Sequence, residues 1–236
     1  MPVSVGNITT RLTEHGVTTY DYDLLDRLTR VDNPTLADEA FTYDDVGNRL
    51  TSSDTTGAWQ YNGTNQLLND TLHTYQYDDN GSQVKKTNTG SGDIQEFIYN
   101  LENRIDTVKV NTVATASYYY DPFGRRLWKE VGGVRTYALY APEGMVAEYD
   151  NTGTLMQSYG YVPEVTYGTQ PLFTANATTT GYYQLDQLGT PQQLTTSTGA
   201  VAWSAQYQSF GQASVTSSSL NNDLRFPGQR YDAETG

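Results

Sequence analysis

The strongest constraint on this 236-residue chain is a motif that returns about every twenty residues. It reads YDYDLLDRL from Tyr20, FTYDDVGNRL from Phe41, WQYNGTNQL from Trp59, YQYDDNGSQV from Tyr75, FIYNLENRI from Phe97 and YYYDPFGRRL from Tyr118. Aligned on Tyr22, Tyr43, Tyr61, Tyr77, Tyr99 and Tyr120, the copies lie 21, 18, 16, 22 and 21 residues apart. Self-similarity at such a period marks a repeat architecture, in which one small unit cannot bury its own apolar face and stacks on its neighbours.

Each column of the alignment has a physical reading. An aromatic residue stands two places before the Tyr, and residues i and i+2 of a strand share a face, so each unit sets two rings side by side on a sheet. Asp23, Asp44, Asn62, Asp78, Asn100 or Asp121 follows, each a short acceptor able to bond the backbone two residues on and open a turn. Four residues past the Tyr stand Asp26, Gly47, Asn65, Gly81, Asn103 and Gly124, all types that tolerate positive φ. An Arg or Gln and an aliphatic residue then restart a strand at Leu28, Leu50, Leu67, Val84, Ile105 and Leu127. Each unit therefore predicts a β-hairpin. The Gly units carry one more residue before the aliphatic position than the Asx units, and the two kinds alternate through all six copies. That alternation suggests a longer period of two units, with turns meeting different surroundings on alternate rungs.

Beyond residue 130 the pattern loosens. YALYAPEGMVAEYDNTGTL places a turn at Asn151 to Gly153, and YYQLDQLGTPQQLTTSTGAVAWSAQYQSFGQ, with Asp186 and Gly189, gives two further strand-turn-strand passages. TYGTQPLFTANATTTG and SVTSSSLNND read as polar, loop-like interruptions. No stretch of a dozen residues carries a helical period, so the expected class is all-β, a hairpin ribbon with little or no helix. The expected divisions are a lead-in at 1–19, regular repeats at 20–130 and divergent repeats at 131–236.

Composition agrees and narrows the function. The 20 Tyr outnumber 6 Phe and 3 Trp, so the apolar content suits half-buried sheet faces better than a greasy core. A formal charge of −13 repels a phosphate backbone and argues against nucleic acid as a partner. The absence of Cys excludes disulfides, thiolate metal sites and Cys nucleophiles without fixing a compartment. No apolar run is long enough for a membrane helix, and the first residues lack the basic and apolar regions of a signal peptide. Sequons at Asn7, Asn62, Asn69 and Asn176 matter only in a glycosylating host.

With its Tyr-Asp pairs at Tyr22-Asp23, Tyr43-Asp44, Tyr77-Asp78 and Tyr120-Asp121, the sequence resembles the Rhs/YD-repeat family over nearly its whole length from Tyr20. The resemblance is most specific toward the end, in YYQLDQLGTPQQLTTSTGAVAWSAQYQSFGQ and in LRFPGQRYDAETG with Gly228, which are similar to the close of the Rhs core. It implies a β-ribbon that spirals into part of a hollow shell. In bacterial polymorphic toxins and the related C component of Tc complexes that shell encloses a toxic C-terminal segment, and in teneurins it serves adhesion. In toxin members the core continues to a paired Asp-Pro-x-Gly motif for aspartyl self-cleavage. This sequence stops at Gly236, and its one DPFG, at Asp121 to Gly124, reads as a repeat turn. The expectation is a fragment or a truncated member.

Other site candidates are outweighed by bland readings. The acidic turns at Asp78 to Gly81 and Asp150 to Gly153 lack the alternating oxygens and closing Glu of a calcium loop. His15 and His73 have no ligand spacing, and there is no G-x-S-x-G elbow. The expectation is therefore no enzyme, no metal and no cofactor. Trp59, Trp128 and Trp203 are candidates for stacking on glycans if they face outward, although packing within the sheet is the simpler role. The expected work is that of a shell segment enclosing a polypeptide cargo, its partners being that cargo or the rest of the shell. The alternative is a carbohydrate-binding or adhesion module. The full-length protein is expected to be secreted or at the cell surface, and open sheet edges are expected to promote self-association.

Overall fold

The computed structural model describes residues 6–165 and 167–235, and every regular element among them is a β-strand or a turn. Residues 1–5 of the lead-in, Thr166 and the terminal Gly236 lie outside the described residues. The chain divides into two compact units, the first ending at Glu96 and the second starting at Phe97.

In the first unit β1 (Thr10–Thr13), β2 (Gly16–Tyr22), β3 (Leu28–Asp32), β4 (Glu39–Tyr43) and β5 (Arg49–Ser52) form a five-stranded sheet in chain order. Then β6 (Gln60–Tyr61), β7 (Leu67–Asn69), β8 (His73–Tyr77) and β9 (Gln83–Asn88) pair in chain order, and β10 (Ile94–Tyr99) begins here, with Ile94 facing Thr87. Val31 and Phe41 are its most buried apolar side chains.

In the second unit the strands are β11 (Ile105–Val110), β12 (Val113–Tyr120), β13 (Arg126–Val131), β14 (Val134–Ala141), β15 (Gly144–Tyr149) and β16 (Leu155–Tyr161). They are followed by β17 (Pro171–Ala175), β18 (Thr180–Leu185), β19 (Pro191–Thr195), β20 (Val201–Tyr207) and β21 (Ala213–Ser218). Within this unit β11 to β21 run hydrogen-bonded in chain order, antiparallel wherever the register is defined. One core gathers Phe97, Val108, Ala116 and Tyr118. The other gathers Tyr183, Leu194, Trp203, Leu220 and Leu224.

The repeat turns share one geometry. In each, the Asx amide N–H donates four residues on and its carbonyl accepts from three residues on, as in Asp44 N to Asn48 O at 2.9 Å and Gly47 N to Asp44 O at 3.2 Å. The Asx side chain holds the loop from within: Asp44 Oδ1 accepts from the backbone N–H of Val46 and of Asn48. The residue four past the Tyr takes positive φ in all six copies, from 58° at Asn103 to 96° at Gly47. This is the three-residue hairpin loop closed by a left-handed residue.

The alternation between Gly and Asx units is visible in the cross-strand register. The turns do not differ in length: Tyr22 faces Leu28, Tyr61 faces Leu67, Tyr43 faces Arg49 and Tyr77 faces Gln83, each six residues on. A bulge then inserts one extra residue in the returning strand, since Thr42 faces Thr51 while Tyr43 faces Arg49. In the Gly units the aliphatic residue, Leu50, Val84 or Leu127, is that extra residue. In the Asx units Leu28 and Leu67 instead stand opposite the Tyr. What alternates is the place of the aliphatic side chain at the bulge.

Two stretches read as loops are partly strands. TYGTQPLFTANATTTG contains β17, and SVTSSSLNND contains most of β21. The polar composition hid them because Thr and Ser are tolerated on a pleated face, and because Leu220, 1 % exposed, and Asn222, 2 % exposed, bury single residues without a period.

Candidate functional site

Two devices give the chain its working surface, and the first is a ladder of tyrosine hydroxyls. Tyr22 donates to Ile8 O, Tyr43 to Leu28 O, Tyr61 to Arg49 O and Tyr77 to Leu67 O. In the second unit Tyr140 donates to Arg126 O, Tyr161 to Met145 O and Tyr207 to Pro191 O, and across both units the distances run from 2.7 to 3.1 Å. The acceptor follows a rule. Leu28, Arg49, Leu67, Arg126 and Met145 face Tyr22, Tyr43, Tyr61, Tyr120 and Tyr140, and Pro191 faces Leu185, which stands in place of a tyrosine. From Tyr43 on, each of these hydroxyls therefore bonds the residue opposite the previous rung, and hairpin is stitched to hairpin. Burial pushes the hydroxyls of Tyr140, Tyr161 and Tyr207 up to about 12, so they stay protonated donors.

Arginines reinforce the same stitches. Arg27 Nη1 donates to Asp44 O at 2.7 Å while its guanidinium lies 4.8 Å from the centre of the Tyr43 ring. Arg104 repeats this four copies later, donating to Asp121 O with its guanidinium 5.7 Å from the Tyr120 ring. Hydrogen bonds from the Arg27 backbone, followed by its side chain and the Leu25 N–H, hold the Asp23 carboxyl below the usual carboxylate range.

The sequence singled out Tyr22, Tyr43, Tyr61 and Tyr77 but missed Tyr140, Tyr161 and Tyr207 as members of this ladder. The signal was the period, because Tyr140 and Tyr161 follow Tyr120 by 20 and 21 residues each in turn. Their turns, which lack an Asp after the Tyr, concealed it. Asp150 to Gly153 makes the same kind of turn as Asp78 to Gly81. It follows an odd-numbered strand and so lies on the opposite edge of the ribbon from Asp121 and Asp186.

The second device is a strap, residues 219–235, laid across the sheet of the second unit. Leu220 and Leu224 enter the core beside Trp203, and Asn222 Oδ1 accepts from the Tyr183 hydroxyl at 2.8 Å. The Pro227-Gly228 turn docks where Gly228 N donates to Gly168 O. A Cβ on Gly168 would sit 3.1 Å from the Gly228 Cα, and one on Gly189 2.8 Å from Thr169 O, so glycine is required at this close approach. Residues Arg230, Asp232 and Glu234, alternating along the strap, then meet opposite groups. Arg230 pairs with Glu148 at 3.1 Å and Asp223 at 3.6 Å and donates to the Tyr159 hydroxyl. Asp232 takes a two-pronged bond from Arg126 and a third from Lys129 at 3.0 Å. Glu234 accepts from Tyr118 at 3.0 Å. Burial would raise the Asp232 carboxyl, but Arg126 and Lys129 outweigh it and hold the group below the usual range. A cavity of about 220 Å³ lies under the strap beside Tyr140, Tyr161, Arg126 and Arg230.

The remaining candidates fall apart geometrically. Trp203 is 1 % exposed and offers no ring face to a sugar. Trp128 is stacked by Tyr119 at 5.9 Å and carries the Arg135 guanidinium 4.0 Å from its ring. Trp59 lies under Arg49 at 4.2 Å, with its Nε1 bound to Thr55. His15 sits by Glu14, and His73 by Asp70. Among the described residues no group of three or more His, Asp or Glu is arranged to hold a metal.

The family described as "Teneurin YD-shell" matches residues 4–236. The double-stranded DNA deaminase toxin A of Burkholderia cenocepacia is 29% identical, over 94% of this chain and 18% of its own length. The tRNA nuclease WapA of Bacillus subtilis is 29% identical, over 83% of this chain and 8% of its own. The chain thus spans less than a fifth of these relatives. Among solved structures, the Photorhabdus luminescens Tc holotoxin pore covers 92% of this chain and 16% of its own, at 14% identity and a TM-score of 0.44.

Proposed function

We propose, from the premise that this chain belongs to the teneurin YD-shell family, that it is a wall segment of a protein shell that encloses a polypeptide cargo, a toxin in the bacterial case. The observation that carries this reading is the family match over residues 4–236, read with the ladder: hairpins bulged at one place and each stitched to the one before. A repeated bulge bends and twists a ribbon in one sense at every unit, and the stitches keep hairpins from parting. The result is a wall whose backbone groups are satisfied between neighbouring strands, so an enclosed chain meets a free edge only at the end strands of a sheet. That one similar protein is named a double-stranded DNA deaminase toxin and another a tRNA nuclease supports a toxic cargo.

We assign no catalysis to this segment: the repeat carboxylates such as Asp44 serve as turn acceptors, and Asp232 is held in the strap's ion pairs. Glycan binding has no specific observation in its favour, since the three Trp rings are buried or covered. The test is limited proteolysis of the whole natural gene product carrying this segment. The expected result is a second polypeptide that resists cleavage with residues 6–235 and becomes cleavable once the shell is denatured. If no other polypeptide is protected alongside the ribbon, the enclosure reading fails.

A further inference from the structure

The chain contains two Asn-Gly dipeptides, Asn62-Gly63 and Asn80-Gly81, and the fold treats them in opposite ways. Glycine after asparagine leaves the next backbone nitrogen unshielded, so in an unfolded chain both pairs are open to the same cyclisation. Folding separates them.

Asn62 is the Asx residue of its turn, and its side-chain amide is committed. Its Oδ1 accepts from Thr64 N at 3.0 Å, Thr64 Oγ1 at 2.8 Å and Gln66 N at 2.9 Å, and its Nδ2 donates to Gln66 Oε1 at 2.6 Å. Turning the amide carbon toward Gly63 N breaks all four. Asn80 stands two places later in the register of its turn, on the exposed loop. The acceptor role there belongs to Asp78, whose Oδ1 takes Asn80 N at 3.0 Å and Ser82 N at 2.8 Å. The Asn80 side-chain amide makes no hydrogen bond among the described residues. The single bond that restrains its attacker is Gly81 N to Asp78 O at 3.0 Å.

We propose that Asn80 is a site of spontaneous deamidation in the folded protein and that Asn62 is protected by its turn. The co-reactant is water. The backbone nitrogen of Gly81 loses its proton to base and forms a bond to Asn80 Cγ, and ammonia leaves with the former Nδ2, closing a five-membered imide. Water then opens the imide. Cleavage at Cγ yields aspartate, and cleavage at the main-chain carbonyl yields isoaspartate, with one carboxylate gained and one ammonia released in either case. Isoaspartate adds a methylene to the main chain inside a loop whose ring is closed by Gly81 N and Asp78 O. It therefore unfastens the turn that sets Tyr77 opposite Gln83.

The experiment is to incubate the whole folded chain at mildly alkaline pH in heavy-oxygen water and to map peptides by fragmentation mass spectrometry. The expected result is conversion at residue 80 with one heavy oxygen incorporated, in both aspartyl and isoaspartyl forms. Residue 62 is expected to be slower by about tenfold or more, because several additional hydrogen bonds must open there. In denaturant the two rates should converge. Gln66→Ala, which removes the Oε1 that accepts from Asn62 Nδ2, should raise conversion at residue 62 in the folded chain. Equal rates at the two sites in the folded chain, or conversion at residue 80 only after denaturation, would overturn the proposal.

Discussion

The Tyr43 hydroxyl donates to the carbonyl of Leu28 at 2.7 Å, and Leu28 is the residue that faces Tyr22 across the preceding hairpin. The relationship explains why the repeat demands tyrosine and not phenylalanine at this position. The ring fills the half-buried face, and its oxygen satisfies a carbonyl at the bulged end of the neighbouring hairpin.

Removing one stitch should therefore be measurable. Tyr140→Phe takes the donor from Arg126 O while keeping the ring, and should cost about 1 to 2 kcal/mol of unfolding free energy. Tyr182→Phe, on an exposed ring, should be nearly neutral. Denaturant midpoints compare the two, and equal effects would refute the ladder as an energetic device.

The left-handed turn residue makes a second contrast. Gly124 has φ of 87°, and an added Cβ would meet Arg104 Nη2 at 3.0 Å, so Gly124→Ala should destabilise by about 1 to 2 kcal/mol. Asn103→Gly, at φ of 58°, relieves the same backbone cost and should be neutral or mildly stabilising. Thermal melts of both variants would show it.

The strap is held by charges that cannot be left single. Arg230→Met strands Glu148 and Asp223 on a partly buried face and should cost about 3 to 5 kcal/mol. Hydrogen exchange should rise first in residues 219–235 and in β15, ahead of β11 and β12. Uniform loss of protection would mean that the strap is not a separate closure.

Acid and alkali should act at different places. The Asp232 carboxyl is depressed in the fold, so its stabilisation is present above the unfolded value near 3.8 and is lost only as pH falls through the lower folded one. The strap should therefore stay docked at pH 5. The Tyr140 and Tyr161 hydroxyls are raised, so their stabilisation is complete below the free tyrosine value of 10 and is lost as pH rises toward about 12. Residue-resolved signals of Tyr140 and Tyr161 should show ionisation together with loss of β-sheet circular dichroism between those limits. Ionisation of these two tyrosines with the sheet intact would show their hydroxyls free.

End strands β1 and β21 each have a single neighbour. The isolated chain should self-associate, with a light-scattering mass that climbs with concentration. A constant monomer mass over a wide range would refute this.

Much of the fold was legible because turns obey local chemistry. The Asx acceptor and the left-handed residue four past each Tyr are fixed within five residues of sequence, so hairpins could be read one at a time. The strap was not legible in this way. Its alternation of Arg230, Asp232 and Glu234 is visible in RYDAE, but the partners Glu148, Arg126 and Tyr118 lie 82, 106 and 116 residues away, and no local pattern names them. Nor could β17 be read, since Pro171 and Thr174 look like a loop until β16 and β18 flank them.

Every tyrosine stitch points back toward the amino terminus, across 10 residues for Tyr77 and 16 for Tyr161 and Tyr207. A hairpin emerging during synthesis thus finds its anchor already made and needs nothing that has yet to be translated. Contacts of such short range close quickly and in order. The strap's bonds, from Asp232 to Arg126 and from Glu234 to Tyr118, instead reach back across more than a hundred residues and can form only on a ribbon already laid down beneath them.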